Sequence, residues 1–493
     1  MTVLAIDAGT TGVTCLLVGE DGRVLARGQR EFPQHFPAPG LVEHDPDEIW
    51  AAVLAASSDA LAAASAGGRA VTVSCVGLTN QRETVVLWDR GTLRPATRAI
   101  VWQDRRSAGE CDRLREHEPR VRELTGLPLD PYFSATKLAW LSANLPDVWA
   151  RVRAGRVAVG TVDSYLLARL TGGRLHATDP SNASRTLLLD LASACWSEEL
   201  AGLFGVPLGA LPEIVPSSGS IGRTDPEHFL GLDVPVSGVA GDQQAALFGQ
   251  AGFVPGAMKC TYGTGSFLLV NTGDRIPPAG AGLLSTVAWR LEGQPVQYAL
   301  EGSVFVTGAA VQWLRDGLRL FERSSDSEAL AASVPDGGGV VFVPALTGFG
   351  TPHWDPHARG AILGITRGTT DAHVARAVLD GIAYQIRDVV EAVTGTAGIQ
   401  VDGLAVDGGA SVNDLLCQIQ ADLLGRPVVR PRTTETTAMG AALLAGLGAG
   451  VWKDLAELAE AGEGRQVFTP QPLPDDGYRR WLDAVDAVRR FGS

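Results

Sequence analysis

The chain has 493 residues, a length that argues against a single ordinary domain and favours two large ones. Hydrophobic residues make up 45% and charged residues 19%, which excludes global disorder and allows a sizeable packed core. The formal net charge of −14 argues against nucleic acid or an anionic membrane as the main partner.

The cysteines and the apolar stretches indicate the compartment. The six cysteines are scattered without a C-x-x-C pair, so we find no zinc signature and no disulfide framework and expect a reduced, cytoplasmic setting. The first residues lack the basic segment and long apolar core of a signal peptide. The most apolar long stretch, residues 438–452, is too short to span a bilayer comfortably, so we expect no membrane insertion.

Short β-branched runs alternate with longer Ala- and Leu-rich stretches, which predicts an α/β fold. Strand-then-turn units stand out at residues 2–7 before GTTG, 71–80 before QRET, 234–242 before QQAALFGQ, and 403–409 before a helical run. Each unit places polar residues just past the C-terminal end of a strand, where open α/β sheets bind ligands.

The first unit ends in Asp7 and continues as a turn of glycine and threonine up to Gly12. Glycines let the backbone bend around a phosphate, while threonine hydroxyls and backbone N–H groups donate to its oxygens. A carboxylate at the strand end can hold Mg²⁺, usually through water. The same residues are also compatible with a plain strand-ending turn.

The second and third units offer side chains for a polyol. Arg82 and Glu83 follow an apolar strand, so we expect their loop to point into a cleft, although such neighbours are usually a solvated ion pair. Asp242 lies where a buried strand meets a helix, and there it can cap the helix or act as the base for an alcohol nucleophile. The amides of Gln243 and Gln244 suit hydroxyl groups because they both donate and accept.

Three aromatic residues, Trp102, Tyr132 and Phe267, are candidates for a wall against the carbon backbone of a polyol, although isolated aromatics usually fill a core. In the second half, Thr264 lies in a turn (TYGTGS) similar to the first one, and we interpret the likeness as two domains of like construction. The Gly- and Pro-punctuated residues 249–256 mark a boundary, which predicts domains 1–250 and 251–493.

Nucleotide binding needs a loop other than the Walker type, because none of the three lysines follows a G-x-x-x-x-G pattern. Two weaker candidates lie in the second half. A helix predicted over residues 304–317 carries Gly308 and Gln312, and a Gly408-Gly409 turn precedes Asn413.

Together, these motifs resemble the glycerol kinases of the FGGY carbohydrate-kinase group, from the first strand to about residue 471. The runs that carry the resemblance are TNQRET (79–84), AIVWQDRR (99–106), DPYFSATK (130–137), SNASRT (181–186), AGDQQAALFGQ (240–250), TYGTGSF (261–267), ALEGSVFVTGAAVQWLRD (299–316), WDPHARGAILGITRG (354–368) and VDGGASVND (406–414).

The resemblance implies two ribonuclease-H-like domains of the actin/hexokinase type, with a cleft between them where Mg²⁺ and ATP phosphorylate glycerol at a terminal hydroxyl. Asp242 would be the catalytic base. The residues implied to bind glycerol are Arg82, Glu83, Trp102, Tyr132, Asp242, Gln243 and Phe267. Those implied to contact the nucleotide are Thr10, Thr11, Gly12, Thr14, Thr264, Gly308, Gln312, Gly409 and Asn413, and Asp7 with Asp242 would place Mg²⁺. A homodimer or homotetramer is expected.

Two stretches depart from the family pattern. The first turn reads DAGTTGVTC where the family commonly has DQGTTSSRA, so Thr14 replaces an Arg and phosphate binding is expected to depend on N–H and hydroxyl groups. Residues 225–235 lack the basic loop through which fructose bisphosphate inhibits some relatives. His228 in that stretch resembles the histidine that the phosphocarrier HPr modifies in others, or is a plain exposed loop histidine.

Two alternative functions remain open at this point. One is a kinase of the same fold that acts on a ketopentose or a sugar acid. The other is an actin-like ATPase without a polyol acceptor.

Overall fold

The computed structural model describes residues 1–66, 71–460, 464–472 and 476–492. Its strands are β1 (Thr2–Ala8), β2 (Gly12–Gly19), β3 (Val24–Glu31), β4 (Glu43–His44), β5 (Val73–Asn80), β6 (Val86–Asp89), β7 (Ala99–Ile100), β8 (Val157–Gly160), β9 (Ala177–Thr178), β10 (Leu189–Asp190), β11 (Cys195–Trp196), β12 (Glu213–Ile214), β13 (Ser218–Arg223), β14 (Pro235–Gly241), β15 (Met258–Tyr262), β16 (Ser266–Gly273), β17 (Leu284–Trp289), β18 (Gln297–Val304), β19 (Val341–Val343), β20 (Ala361–Leu363), β21 (Leu404–Asp407), β22 (Val428–Pro431) and β23 (Arg465–Phe468).

The α-helices are α1 (Pro46–Ser65), α2 (Ala108–Arg113), α3 (Glu118–Thr125), α4 (Ser134–Asn144), α5 (Pro146–Arg153), α6 (Val162–Leu170), α7 (Pro180–Ala183), α8 (Glu198–Phe204), α9 (Asp242–Gly249), α10 (Gly308–Asp316), α11 (Asp326–Ala332), α12 (Asp371–Ala397), α13 (Asp414–Leu424), α14 (Thr436–Gly448), α15 (Leu455–Glu460) and α16 (Asp476–Gly492). Among the described residues, no helix combines the length and the apolar composition needed to cross a membrane.

Two mixed sheets organise the chain, and they are built in the same way. The first has the strand order β13-β14-β5-β1-β2-β3, and the second has the order β17-β18-β16-β15-β21-β22-β23. In each sheet a strand turns into an antiparallel partner (β1 into β2, β15 into β16) and has a parallel neighbour on its other side (β5, β21). The similar Gly/Thr turns noted in the sequence occupy equivalent places, at the hairpins that follow β1 and β15.

One expected helix begins later than its sequence pattern indicates. Residues 304–317 were predicted to be helical, but Val304 is the last residue of β18, where it pairs with Ser266, and α10 begins at Gly308. The β-branched residues around Val304 therefore adopt the strand conformation that they prefer, since the pairing of β18 with β16 extends as far as Val304.

The apolar stretch at 438–452 forms most of α14, which lies in the second half of the sequence but packs on the first sheet. Small residues let it approach very closely: a Cβ added to Gly77 of β5 would lie 2.1 Å from the carbonyl oxygen of Ala441. At its crossing with α9, a Cβ on Gly440 would lie 1.8 Å from the carbonyl oxygen of Ala245. Such backbone contact explains why the stretch is rich in Gly and Ala.

We expect Gly440→Ala to destabilise the protein by about 1–3 kcal/mol, because the new methyl group overlaps backbone that cannot move aside freely. Urea unfolding of the purified variant measures this loss. Gly202→Ala is the matched control: Gly202 lies within α8, and apart from the adjacent backbone of that helix no atom of the described residues is within 4 Å of an added Cβ. That control should gain roughly 0.5–1 kcal/mol of stability, because glycine in a helix interior is destabilising by about that amount relative to alanine. Equal stability of the Gly440 variant and the wild type would contradict the packing argument.

Candidate active site

Three parallel strands of the first sheet end side by side. Ala8 of β1 pairs with Asn80 of β5, and Asn80 also pairs with Gly241 of β14. The residues that follow each strand are therefore neighbours at one edge of the sheet. This edge brings together the Gly/Thr turn, the Arg82 loop and Asp242, as the strand-end pattern predicted.

Arg82 lies at the centre of a buried cluster of charges. Its Nε is 3.1 Å from Oδ1 of Asp242, and its Nη1 donates to Oε2 of Glu301 at 2.5 Å. The side chains of Arg82 and Glu301 are 2% and 0% exposed. A solvated ion pair, one interpretation of the sequence, is therefore excluded for Arg82.

The cluster continues through Arg185 to Glu83. Nη2 of Arg185 donates to Oε1 of Glu301 at 2.9 Å, and its Nε donates to Oε1 of Glu83 at 2.7 Å. Charges thus alternate along a chain that runs from Asp242 through Arg82, Glu301 and Arg185 to Glu83. Burial would raise the pKa of Glu301, but Arg185 and Arg82 outweigh it and hold that pKa below its ordinary value. Burial dominates at Glu83 and raises its pKa.

Asp242 is the end of this series of charges that remains open to solvent, with 29% of its side chain exposed. It is the first residue of α9, and Gly241 occupies the N-cap position. The N–H of Gly241 donates to Oγ of Ser181 at 2.9 Å, and Ser181 in turn donates to buried Asp179. The backbone before Asp242 is therefore fixed, while its carboxylate remains partly exposed.

Lys259 fixes the orientation of the Gln243 amide. Its Nζ donates to Oε1 of Gln243, and it also donates to Oγ1 of Thr261 at 2.9 Å. Because an ammonium group only donates, the oxygen of the Gln243 amide must face Lys259 and its NH₂ group must point away. Burial lowers the pKa of Lys259.

The three candidate aromatic residues form one group. The Trp102 ring lies edge-on to Tyr132 at 5.6 Å and to Phe267 at 6.5 Å between centroids. The Tyr132 segment is held by Lys137, whose Nζ donates to the carbonyl oxygens of Pro131 at 2.6 Å and Tyr132 at 2.7 Å. Burial lowers the pKa of Lys137 to about 7.

The first Gly/Thr turn is closed by a hydrogen bond of 3.0 Å from the N–H of Gly9 to the carbonyl oxygen of Gly12. Thr11 is exposed, and Thr10 accepts a hydrogen bond of 3.0 Å at Oγ1 from the Trp102 indole. Thr14 lies on β2 directly opposite Asp7 of β1. The turn therefore adjoins both Trp102 of the aromatic group and Asp7 at the end of β1.

Asp7 has the features of a cation ligand. Within the described residues, its Oδ1 is buried and has no hydrogen-bond partner. Burial, Asp242 and Glu435 all raise the pKa of Asp7. The part of the chain that the structure describes holds no cluster of three or more His, Cys, Asp or Glu suited to a metal. A divalent ion that keeps waters and binds phosphate oxygens, as Mg²⁺ does, fits such a sparse carboxylate set.

The second Gly/Thr turn adjoins the other nucleotide candidates. The N–H of Gly308 donates to the carbonyl oxygen of Gly263 at 3.0 Å, and the N–H of Thr307 donates to that of Thr264 at 2.9 Å. Gly408 has φ of +85°, and an added Cβ would lie 2.6 Å from the carbonyl oxygen of Tyr262, so the Gly408-Gly409 turn lies against the end of β15.

Gln312 follows Gly308 on α10, and Asn413 follows the Gly408-Gly409 turn at the start of α13. Gln312 is exposed on α10, about one turn after its first residue. Asn413 caps α13, where its Oδ1 accepts from the N–H of Leu416 at 2.8 Å. That capping bond leaves the Nδ2 group of Asn413 for other contacts.

Sequence reasoning missed three charged residues of the site. Lys259 and Glu301 each lie in a strand whose other residues are mostly buried. Glu301 and Arg185 both fall in runs that carry the family resemblance, but the resemblance implied no role for either. A charge inside an otherwise apolar strand is a usable signal, since such groups are almost never buried unless paired. The signal shows that a partner exists but not which one.

Comparison with known proteins places this arrangement in a family. The family model for the N-terminal domain of the FGGY carbohydrate kinases matches residues 2–249, and that for the C-terminal domain matches residues 258–449. The chain is 52% identical to a glycerol kinase of Symbiobacterium thermophilum, over 100% of this chain and 99% of that protein. It is 53% identical to a glycerol kinase of Myxococcus xanthus, over 98% of each.

Solved structures show the same architecture. The crystal structure of Plasmodium falciparum glycerol kinase with ADP superposes with a TM-score of 0.91 at 33% identity, covering 99% of this chain and 98% of that one. A xyloylose kinase from Brucella ovis gives a TM-score of 0.88 at 26% identity, covering 100% of both chains. The predicted α/β fold with two domains of the actin/hexokinase type is confirmed. With both of its halves matched, the chain belongs to the FGGY family of carbohydrate kinases.

Proposed function

We propose that this protein is a glycerol kinase that transfers the γ-phosphate of ATP to a terminal hydroxyl of glycerol, giving sn-glycerol 3-phosphate. The observation that carries the proposal is the buried charged cluster that joins Arg82, Glu83 and Asp242. The aromatic group lies beside this cluster, since the Arg185 guanidinium is 5.8 Å from the centre of the Tyr132 ring. Relatives named glycerol kinase at 52–53% identity over the whole chain support it.

Glycerol binds between the charged cluster and the aromatic wall. Arg82 donates to hydroxyl oxygens, and Glu83 accepts from hydroxyl groups through the oxygen that Arg185 does not occupy. The NH₂ group of Gln243, turned outward by Lys259, donates to a third position. Trp102, Tyr132 and Phe267 cover the carbon backbone, which is the apolar part of the triol.

Asp242 acts as the general base. It accepts the proton of the terminal hydroxyl as that oxygen bonds to the γ-phosphorus and the bond to ADP breaks. Its partial exposure leaves the carboxylate accessible to the hydroxyl, and its contact with Arg82 orients it. General-base catalysis by a positioned carboxylate contributes about 10²–10⁴-fold in rate.

The two Gly/Thr turns hold the triphosphate across the cleft. Backbone N–H groups and hydroxyls supply the donors, which suits a chain without a Walker-type loop. The residues proposed to contact ATP are Thr10, Thr11, Gly12 and Thr14 from the first half and Thr264, Gly308, Gln312, Gly409 and Asn413 from the second. Domain closure around the two substrates excludes water and limits wasteful hydrolysis of ATP.

Asp7 and Asp242 are the residues proposed to hold Mg²⁺ with ATP, where the ion would neutralise phosphate charge. We expect excess chelator to reduce turnover by about 10²-fold or more, in line with a contribution of several kcal/mol. Titration of Mg²⁺ into chelated enzyme, followed by ADP release, measures the dependence. Full activity in excess chelator would contradict the metal assignment.

A coupled ADP-release assay tests the proposed function. Glycerol is compared with xylulose, ribulose, gluconate and a reaction without acceptor. We expect the largest kcat/KM with glycerol and little ADP release without an acceptor. Faster turnover of a pentulose or of gluconate would favour the sugar-kinase alternative, and acceptor-independent ADP release would favour an actin-like ATPase.

We further propose that His228 can accept a phosphate from HPr. Its imidazole is 44% exposed, and Nδ1 lies 3.3 Å from Oδ1 of Asp225, so that contact occupies Nδ1 and not Nε2. Incubation with phosphorylated HPr should label the wild type and leave His228→Ala unlabelled; no label on the wild type would exclude the site.

We also propose a cytoplasmic homodimer or homotetramer. Light scattering of the purified chain distinguishes these assemblies from a monomer, and cell fractionation tests the compartment.

A further inference from the structure

A closed ring of hydrogen bonds surrounds the first Gly/Thr turn and includes side chains to which no role has been given above. We call it the turn ring. Its members are Thr10, Trp102, Thr84, Gln81, His44 and Gln34.

One arm of the turn ring joins Trp102 of the aromatic group to the loop that follows β5. The Trp102 indole donates to Oγ1 of Thr10 at 3.0 Å, and its backbone N–H donates to Oγ1 of Thr84 at 3.2 Å. Thr84 then donates to Oε1 of Gln81 at 2.7 Å. Thr84 and Gln81 are buried, so these bonds do not compete with solvent.

The other arm passes through His44, which is completely buried. Nε2 of Gln81 lies 3.0 Å from the carbonyl oxygen of Gly9 and 3.2 Å from Nδ1 of His44. Nε2 of His44 lies 2.7 Å from Oε1 of Gln34, whose Nε2 donates to the carbonyl oxygen of Thr10 at 2.9 Å.

The two backbone carbonyls fix every donor in this arm. A carbonyl only accepts, so both glutamines must direct their NH₂ groups at the turn. Gln34 then presents its oxygen to Nε2 of His44, and Gln81 presents a donor to Nδ1. His44 must therefore be neutral with its proton on Nε2. Burial, aided by His35, lowers the pKa of His44 to about 4, which agrees with that assignment.

The turn ring also limits the directions in which the Thr10 hydroxyl can donate. An indole N–H only donates, so Oγ1 of Thr10 accepts from Trp102 and its single proton remains free for another acceptor. A phosphate oxygen held by the turn is such an acceptor. Trp102, proposed above to cover the glycerol carbons, thus constrains the hydroxyl of Thr10, proposed above to contact the phosphates.

We infer that His44 is a positioning residue and that the turn ring couples the two substrates, so that glycerol and nucleotide each tighten binding of the other. This inference rests on the proposed function, because it takes Trp102 as the glycerol wall and Thr10 as a phosphate contact. Bound glycerol limits the motion of Trp102, and Trp102 in turn limits the motion of Thr10 and the first Gly/Thr turn. Bound nucleotide limits the motion of the same residues in the opposite order. Coupling between two binding equilibria must be reciprocal.

Calorimetry with a non-hydrolysable ATP analogue and Mg²⁺ tests the inference on the full chain. The dissociation constant of the analogue is measured with and without glycerol, and that of glycerol with and without the analogue. We expect one coupling factor from both measurements in the wild type, within the usual range of about 5–150-fold. In Trp102→Phe, which keeps an aromatic wall but loses the indole N–H, and in His44→Leu, we expect the factor to approach 1.

Two further variants separate coupling from general damage. The Trp102→Phe/His44→Leu double variant should lose no more coupling than either single variant, since both cut the same ring. Trp140→Phe, whose ring stacks with Arg106 outside the turn ring, should keep the wild-type factor. A thermal melt of each variant shows whether it folds, and a variant with lower Tm but wild-type coupling counts against the inference.

The outcomes distinguish this inference from the proposed function. A wild-type coupling factor that persists in Trp102→Phe and His44→Leu would overturn the turn ring as the coupling element while leaving glycerol phosphorylation intact. A wild type that binds the analogue but not glycerol would overturn the proposed function itself, and the inference with it.

Discussion

Asp242→Asn is expected to lower kcat by about 10²–10⁴-fold, the usual contribution of a general base, with a much smaller change in the KM for glycerol. An amide keeps the size of the side chain and an oxygen that can face Arg82, but it cannot take the proton of the attacking hydroxyl. Rapid-quench measurement of glycerol 3-phosphate formation at saturating substrates reports the chemical step.

Asp233→Asn is the matched control for this variant. Asp233 is an exposed carboxylate, 63% accessible, that pairs with Arg223 away from the strand-end edge. We expect its kcat to equal that of the wild type. If Asp242→Asn retained wild-type turnover while folding normally, another group would have to be the base.

The strand-end polar residues could be predicted from sequence because a local pattern determines their position. Asp7, Arg82 and Asp242 each follow a short apolar run, and parallel strands bring such ends together at one edge. The aromatic residues Trp102 and Tyr132 needed the family resemblance as well, since nothing local separates a pocket aromatic from a core one.

The residues that sequence reasoning missed act through long-range pairs. Glu301 contacts Arg82 across 219 positions and Arg185 across 116 positions of the chain. No local periodicity encodes such a contact, because it depends on how β18 of the second sheet meets the loops of the first. His44 was missed for the same reason, because its hydrogen-bond partners Gln34 and Gln81 lie beside it only in the folded protein.

Glu301→Gln is expected to destabilise the folded protein by about 3–5 kcal/mol, the cost of leaving a buried charge without its partner. Glu301 serves two guanidinium groups, at 2.5 Å from Arg82 and 2.9 Å from Arg185, and its side chain is 0% exposed. A glutamine could accept from one of them with its oxygen, but its NH₂ group would then face the other donor. Urea unfolding followed by far-UV circular dichroism measures the loss of stability.

A charge-restored variant separates this electrostatic effect from lost packing. Glu301→Gln with Arg185→Met removes one negative and one positive charge, and Met retains an apolar stem beneath Phe133, whose ring Arg185 now covers at 5.4 Å. We expect the double variant to recover only part of the stability lost in Glu301→Gln. The net charge of the cluster is restored, but Glu83 loses the hydrogen bond that it accepts from Arg185.

Glu391→Gln is the surface control, and it should change stability by less than about 0.5 kcal/mol. Glu391 is 57% exposed and forms an i,i+4 ion pair with Arg387. The buried variant and this surface control differ in exposure but share the same chemical change. Equal stability of Glu301→Gln and Glu391→Gln would mean that the alternating charges from Asp242 to Glu83 are not energetically linked. Arg82 would then have to be held in the pocket by its contacts with Asp242 and Gln244, whose Oε1 lies 3.2 Å from Nη1 of Arg82.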